Sequence, residues 1–320
     1  MIFGRLSRLT FSDRGGGEHP LPRFLCARTR GTHRYHHAMA NRVGVCSWSL
    51  RPASVDQLVE RVVGLGLDRL QLALLPIQRG THSGWDRAEV ARRLRAAGIA
   101  APSGMLEMAG EDYSTPQTIR ETGGLRSDEH WPANLDAARD CARLAAFFGM
   151  GLVSFHAGFL PHDPDDPLRE TMLERLRAVA DHFGQEGVRL ALETGQETAE
   201  TLLGVLAELD RPNVGVNFDP ANMLLYSMGD PVQALDCLAP HVLQVHIKDA
   251  SASVEPGQWG SEVPVGTGEV DWEAFCATLD SHGLDCDLMI EREAGDRRLD
   301  DIRAARRHLE SFGRRGEASA

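Results

Sequence analysis

Leu-Ala-Leu-Glu-Thr (190–194), Val-Asn-Phe-Asp-Pro (216–220), Gln-Val-His-Ile-Lys-Asp (244–249) and Leu-Met-Ile-Glu-Arg-Glu (288–293) share one form. Each is a short apolar run that reaches a side chain able to bind a divalent metal. Side chains on a strand alternate between its two faces. Counting back by two from Glu193, Asp219, His246 and Glu291 gives Ala191, Asn217, Gln244 and Met289. The opposite faces carry Leu190 and Leu192, then Val214, Val216 and Phe218, then Leu243, Val245 and Ile247, then Leu288 and Ile290. The wholly apolar face is expected to pack on helices, and the mixed face to carry its metal-type groups inward.

Similar runs lie at 42–48, 69–75, 99–106 and 151–156. With 188–194, 213–219, 242–248 and 286–292 they make eight predicted strands. Helical periodicity follows most of them. Ser54 to Gln57 reads as a capping box opening a helix with Leu58, Val62 and Val63 on one face. Leu202, Leu203, Leu206 and Leu209 form another apolar stripe. The segments 132–148, 166–186 and 296–313 read as longer helices. Eight alternating strands and helices predict an α/β fold, the (β/α)8 TIM barrel. The competitor is a doubly wound open sheet. Its dinucleotide form needs G-x-G-x-x-G after the first strand, where this chain has Cys46-Ser47-Trp48-Ser49. No P-loop or G-x-S-x-G occurs either. The insertion at 107–131 is expected to overhang the active rim as a lid.

In a barrel the C-terminal strand ends share one rim, so Glu193, Asp219, His246 and Glu291 converge there. Three carboxylates and a neutral imidazole carry a formal charge of −3. Without a cation at least one must take a proton, and a divalent ion resolves the repulsion. Oxygen-rich ligation with one imidazole suits Mn, Mg, Co or Zn. The bland alternative is four unrelated polar residues at strand ends. His156 ends the fourth strand and either touches substrate or a second metal, or is a hydrogen-bonded barrel histidine. Glu107 ends the third strand. Trp48, inward with Gly44 and Cys46, forms either a wall for a sugar or part of the core. Lys248 lies one step above His246, either to hold a substrate oxygen or to pair with an acid such as Asp249.

The chain has 320 residues and a net charge of −12, with 42% hydrophobic residues. That charge disfavours nucleic acid and anionic membranes as partners. No apolar run approaches the roughly 20 residues of a membrane span. Six scattered cysteines without a C-x-x-C pair suggest a reduced, cytoplasmic chain. Lys248 is the sole lysine among 34 basic residues. Residues 1–38 hold seven arginines against Asp13 and Glu18, whereas the remainder has a net charge of −17. The expected organisation is a disordered Arg-rich extension over 1–38 with the native start at Met39. A single barrel domain over 39–313 and a flexible tail over 314–320 follow. His33, His36 and His37 in the extension carry little weight as a metal tract.

The chain resembles the sugar phosphate isomerase/epimerase family, the xylose isomerase-like TIM barrels, over nearly all of 42–313. The resemblance rests on Gly-Val-Cys-Ser-Trp-Ser (44–49), Gly-Glu-Asp-Tyr-Ser-Thr (110–115), Phe-His-Ala-Gly-Phe (155–159), Leu-Glu-Thr-Gly (192–195), Asn-Phe-Asp-Pro-Ala-Asn-Met (217–223), Val-His-Ile-Lys-Asp (245–249) and Pro-Val-Gly-Thr-Gly-Glu-Val-Asp-Trp (264–272). It implies one divalent ion on Glu193, Asp219, His246 and Glu291. It also implies that Glu193 and Glu291 move protons on opposite sides of a sugar, through a metal-stabilised enediolate, with no organic cofactor. One departure stands out. Ketose epimerases of this type often show Asp-x-x-His after the sixth strand, and here Asn222 takes the histidine's place. Asparagine can bond a hydroxyl but does not titrate.

The expected function is therefore a metal-dependent sugar or sugar-phosphate isomerase/epimerase acting on a small sugar or polyol. The alternatives are a keto-inositol or keto-sugar dehydratase, an endonuclease-type phosphodiester hydrolase with two or three metals, and a non-catalytic sugar-binding barrel. A homodimer is the default assembly.

Overall fold

Short runs rich in Val, Leu and Ile form the strands that close the fold. They are β1 (Val43–Cys46), β2 (Arg69–Ala73), β3 (Ala100–Met105), β4 (Leu152–Phe155), β5 (Arg189–Glu193), β6 (Val214–Phe218), β7 (Val242–Ile247) and β10 (Asp287–Ile290). All pair in parallel in the order β1-β10-β7-β6-β5-β4-β3-β2, a closed eight-stranded barrel. Between β7 and β10 the chain adds a two-stranded antiparallel sheet, β8 (Asp249–Ser251) with β9 (Ser261–Val263). A computed structural model describes residues 41–80, 84–255 and 257–314, all within one compact unit. The eight predicted strands are the eight barrel strands, each trimmed by at most two residues at either end. The trimmed C-terminal ends are where the chain leaves the ladder to present side chains at the rim. Residues 1–38, the expected start at Met39 and residues 315–320 lie outside the described residues. Arg314, expected in a flexible tail, is instead buried and donates to the Cys276 carbonyl at 3.3 Å.

The two faces of the strands divide as their alternation predicts. Leu190, Leu192, Val216, Phe218, Val245, Ile247, Leu288 and Ile290 join the hydrophobic core between barrel and helices. Phe218, for example, packs on Phe275 of the helix Trp272–Ser281, with ring centroids 5.8 Å apart. The barrel interior is polar and internally bonded. Ser103 Oγ donates to Gln244 Oε1 (2.6 Å), and Gln244 Nε2 donates to Asn217 Oδ1 (3.1 Å). Gln71 Nε2 donates to Ser154 Oγ (2.7 Å). Such a network is stable only because each buried polar group finds a partner. Close approach at the barrel floor needs Gly44, since a Cβ there would lie 2.6 Å from Met289 Sδ and 2.9 Å from the Arg69 carbonyl oxygen.

Local signals hold with two corrections. Ser54 caps the helix Val55–Gly64 by accepting from the Gln57 amide (3.2 Å). The Gln57 side chain, however, accepts from Ala53 N–H (2.8 Å), one residue before the reciprocal partner of a capping box. Val63, expected beside Leu58 and Val62, is 55% exposed. Five residues beyond Leu58 it has turned well past the buried face. The longer helices run Trp131–Phe148, Pro167–Gln185 and Arg298–Ser311. The insertion after β3 contains the helix Pro116–Thr122 and is tied down where Gly124 N–H donates to Glu111 Oε1 (2.9 Å). Among the described residues, no helix is long and apolar enough to cross a membrane.

Asp249 explains the motif at 264–272. Its carboxylate accepts from the backbone N–H groups of Ala250 (2.9 Å), Gly266 (2.8 Å), Gly268 (3.1 Å) and Val270 (3.3 Å), and from Trp272 Nε1 (3.0 Å). It thus fixes the returning loop onto the rim beside Lys248. Asp249→Ala leaves these buried donors unpaired, at about 1–3 kcal/mol each but not additively. We expect a loss of at least ~3 kcal/mol, or roughly 5 °C in Tm for a chain of this size. Differential scanning calorimetry checks it, and an unchanged Tm would remove Asp249 from this role.

Candidate metal centre and active-site cavity

Glu193 closes β5, Asp219 and Glu291 directly follow β6 and β10, and His246 is the fifth residue of β7. Closure of the barrel brings the four together, with one ligand atom of each within 4.8 Å of the others. His246 Nδ1 lies at their centre, 3.4 Å from Glu193 Oε1, 3.5 Å from Asp219 Oδ2 and 3.3 Å from Glu291 Oε2. All four side chains are buried.

The imidazole is set by its other nitrogen. His246 Nε2 lies 2.7 Å from Gln71 Oε1. The Gln71 amide is itself oriented, because its Nε2 donates to the Gly104 carbonyl (3.3 Å) and to Ser154 Oγ (2.7 Å). An N–H at His246 Nε2 satisfies this arrangement and leaves a lone pair on Nδ1. Asn217 Nδ2 approaches the same nitrogen at 3.0 Å, but it also faces Glu193 Oε2 at 3.3 Å. The shorter Gln71 contact decides the tautomer. His246 Nδ1 and Asp219 Oδ2 are both buried without a hydrogen-bond partner. Two orphaned atoms that face each other, with two more carboxylate oxygens beside them, fit a hard or borderline divalent cation. Cys46 does not belong to this set. Its Sγ lies 3.8 Å from Nε2, on the far side of the ring, and burial pushes its thiol up to about 12.

Burial opposes charge throughout this cluster. It pushes the Asp219 carboxyl up to about 6, against the pull of Lys248. In Glu193 burial acts in the same sense, but His156 and His246 outweigh it and hold the carboxyl below its ordinary range. Against burial, Lys248 and His246 hold Glu291 well below that range. Burial also disfavours charge on Lys248, yet Glu291, Glu293 and Asp219 keep its pKa well above the usual lysine value. For His246, burial is outweighed by Glu193 and Glu291, which raise its pKa well above the ordinary value. A proton and a metal ion therefore compete for the same Nδ1.

The comparison with known families agrees with the barrel architecture. The xylose isomerase-like TIM barrel family matches residues 59–312. The chain belongs to that family. A xylose isomerase domain protein from Planctomyces limnophilus is 30% identical, with a TM-score of 0.76 over 86% of this chain and 98% of the other. L-ribulose 3-epimerase shares the fold at 17% identity, with a TM-score of 0.65 over 85% of this chain and 94% of that one. The uncharacterized protein YihM of Escherichia coli (strain K12) is 30% identical over 103 residues, 32% of this chain and 31% of that relative's length.

A cavity lies above the quartet at the C-terminal rim, where the loops of a (β/α)8 barrel build their sites. Its volume is about 540 Å³. Of the residues singled out from sequence, Trp48, Glu107, His156, Asn222, Lys248 and Glu291 line it. Trp48 sits in the 3-10 turn Ser47–Leu50 rather than in the first strand, and its Nε1 donates to Glu291 Oε1 (2.6 Å). Lys248 pairs with Glu291 Oε2 and Glu293 Oε2, both at 2.9 Å, and not with Asp249. Asn222 Nδ2 donates to Glu193 Oε1 (3.0 Å), so one of its two N–H groups is already used. His156 Nε2 lies 3.6 Å from Glu193 Oε1, and its Nδ1 is buried without a partner. Glu107 is exposed and lines the cavity. Glu193 lies beneath the cavity wall, behind Asn222 and His156, while Glu291 opens into it.

Sequence reasoning missed Gln71, Tyr226, Trp259 and Glu293 as site residues. Glu111 and Tyr113 lay within a family motif but received no role. Gln71 had a signal, a lone amide between leucines in Leu70-Gln71-Leu72. Tyr226 and Trp259 had none, because they come from turns outside any periodic element. Gln71→Leu removes the partner that fixes the His246 tautomer. We expect metal affinity about 10–100-fold weaker, measured by competition with a chromogenic chelator. Unaltered affinity would show that Gln71 does not orient the ligand.

Proposed function

We propose that the protein is a divalent-metal-dependent sugar isomerase or epimerase that moves a proton next to a carbonyl. The observation that carries this reading is the buried quartet with one member, Glu291, opening into a cavity of small-ligand size. Glu193, Asp219, His246 and Glu291 would hold the ion. When bound, it polarises a carbonyl and its neighbouring hydroxyl and stabilises the developing enediolate charge.

The remaining work falls to the chain's own groups. Trp48 and Lys248 each donate to one Glu291 oxygen, which fixes that carboxylate toward the cavity. Glu291, kept ionised, takes the proton from the carbon beside the carbonyl. Return of a proton to the opposite face epimerises that carbon, and delivery to the neighbouring carbon isomerises the sugar. Glu193 is the second carboxylate, and it reaches the cavity through His156. Lys248 also supports dehydration as a second reading, because a charged amine in the cavity can protonate a departing hydroxyl.

The cavity favours an uncharged substrate. Glu107, Glu111 and Glu293 line it with Glu291, against Lys248 as the cation. Burial already pushes the carboxyls of Glu107 and Glu111 above their ordinary range. A phosphate monoester would meet further negative charge there, so a free keto-sugar or keto-polyol fits better than a sugar phosphate.

The test is solvent exchange. Metal-loaded protein in D2O is offered ketopentoses, ketohexoses and inososes. Deuterium at the carbon beside the carbonyl, with no other mass change, supports the reading. A product lighter by one water identifies the dehydratase, and absence of exchange across the panel rejects proton abstraction.

A further inference from the structure

A second cavity of about 560 Å³ adjoins the first. Leu225 and Tyr226 line both, so the two spaces meet at one wall. Each alone lies within the roughly 300–1,000 Å³ typical of small-ligand sites. The wall is aromatic on both sides. Tyr226 packs edge-on against Trp259 of the first cavity (centroids 5.0 Å apart) and against Phe159 of the second (5.6 Å). Trp259 Nε1 is buried without a hydrogen-bond partner.

The rest of the second cavity mixes polar groups with Pro116 and Val254 and has no dominant charge. Gln117, whose Nε2 donates to Glu121, offers its amide oxygen and Ser227 a hydroxyl, and Arg120, whose guanidinium lies 5.0 Å over the Phe159 ring, is balanced in charge by Glu255. This combination disfavours two ligand classes. An anionic group finds no net positive field, and a purely apolar group would leave the exposed polar edge of Gln117, Arg120 and Ser227 unused. A sugar ring meets both conditions. Its C–H faces pack on aromatic surfaces, and its hydroxyl edges bond to amide, hydroxyl and guanidinium groups.

We propose that the cavity beyond Tyr226 is a subsite for a second sugar ring, and that the substrate is a glycosylated keto-sugar rather than a free monosaccharide. The ring that reacts sits over Glu291, and its glycosyl partner crosses the Tyr226 wall toward Gln117 and Arg120. This rests on the sugar reading given above and extends it to the size class of the substrate.

The experiment separates binding from turnover. Calorimetry on the metal-loaded protein compares maltitol, a sorbitol that carries one glucopyranosyl ring and cannot enolise, with sorbitol. Exchange in D2O compares the ketose disaccharides lactulose and isomaltulose with fructose. The subsite predicts maltitol binding at least ~10-fold tighter than sorbitol. In Gln117→Ala/Arg120→Ala the preference should shrink to within ~3-fold, with sorbitol binding and fructose exchange unchanged. Equal binding of the two alditols, or an undiminished preference in the double variant, overturns the proposal. Tighter maltitol binding without exchange on any ketose keeps the subsite and rejects the isomerase reading. Exchange on fructose with no preference for maltitol over sorbitol does the reverse.

Discussion

Glu291→Gln is expected to keep its ion and lose its proton transfer. The amide preserves the shape of the side chain and one ligating oxygen, and Glu193 and Asp219 remain around His246 Nδ1. It cannot take a proton at neutral pH. General-base catalysis contributes typically 10²–10⁴-fold, so we expect about a 10³-fold fall in deuterium incorporation. That corresponds to about 4 kcal/mol of transition-state stabilisation. Trp48 Nε1 and Lys248 Nζ, which both donate to the carboxylate, would now face one amide that cannot accept on both sides. The loss should therefore appear in kcat more than in KM. Exchange is measured at saturating metal, with metal content determined on the same sample. Wild-type exchange in this variant would show that Glu291 is not the base.

His246→Gln should act on the ion instead. The histidine supplies the one nitrogen of the quartet and sits at its centre, held by Gln71 at 2.7 Å. Without it three buried carboxylates remain, with Lys248 as the nearby cation. Removing a residue that only orients a ligand costs about 10–100-fold in affinity, so removing the ligand itself should cost at least on the order of 10³-fold. Exchange should vanish at micromolar metal and return in part at millimolar metal. A metal affinity equal to wild type would place the ion elsewhere.

Both predictions concern residues that strand alternation identified. The period of two assigns each side chain to a face, and barrel closure turns four strand ends, spread over about 100 positions, into neighbours. The departures have local causes. Trp48 was placed on a strand, but the chain leaves β1 after Cys46 and turns through Ser47–Leu50. Its side chain still reaches Glu291, because the turn carries it across the same rim. Glu193 and Glu291 looked equivalent in sequence. The structure separates them, since Asn222, three residues after Asp219, bonds Glu193 and screens it from the cavity. No periodicity encodes that contact. It depends on the helix Pro220–Leu225, which Asp219 caps by accepting from the Asn222 amide (2.9 Å). Gln71 was legible in principle, because an amide inside a leucine-rich strand needs a buried partner. Its partner, His246, lies 175 residues away, and only the closed barrel makes the pair visible.

The account stands most directly on where a metal ion binds. Crystals grown with manganese should give, in an anomalous difference map, a single strong peak enclosed by Glu193, Asp219, His246 Nδ1 and Glu291, and none in crystals of His246→Gln under the same conditions. A wild-type map without a peak there, or with its main peak on other residues, would contradict the account.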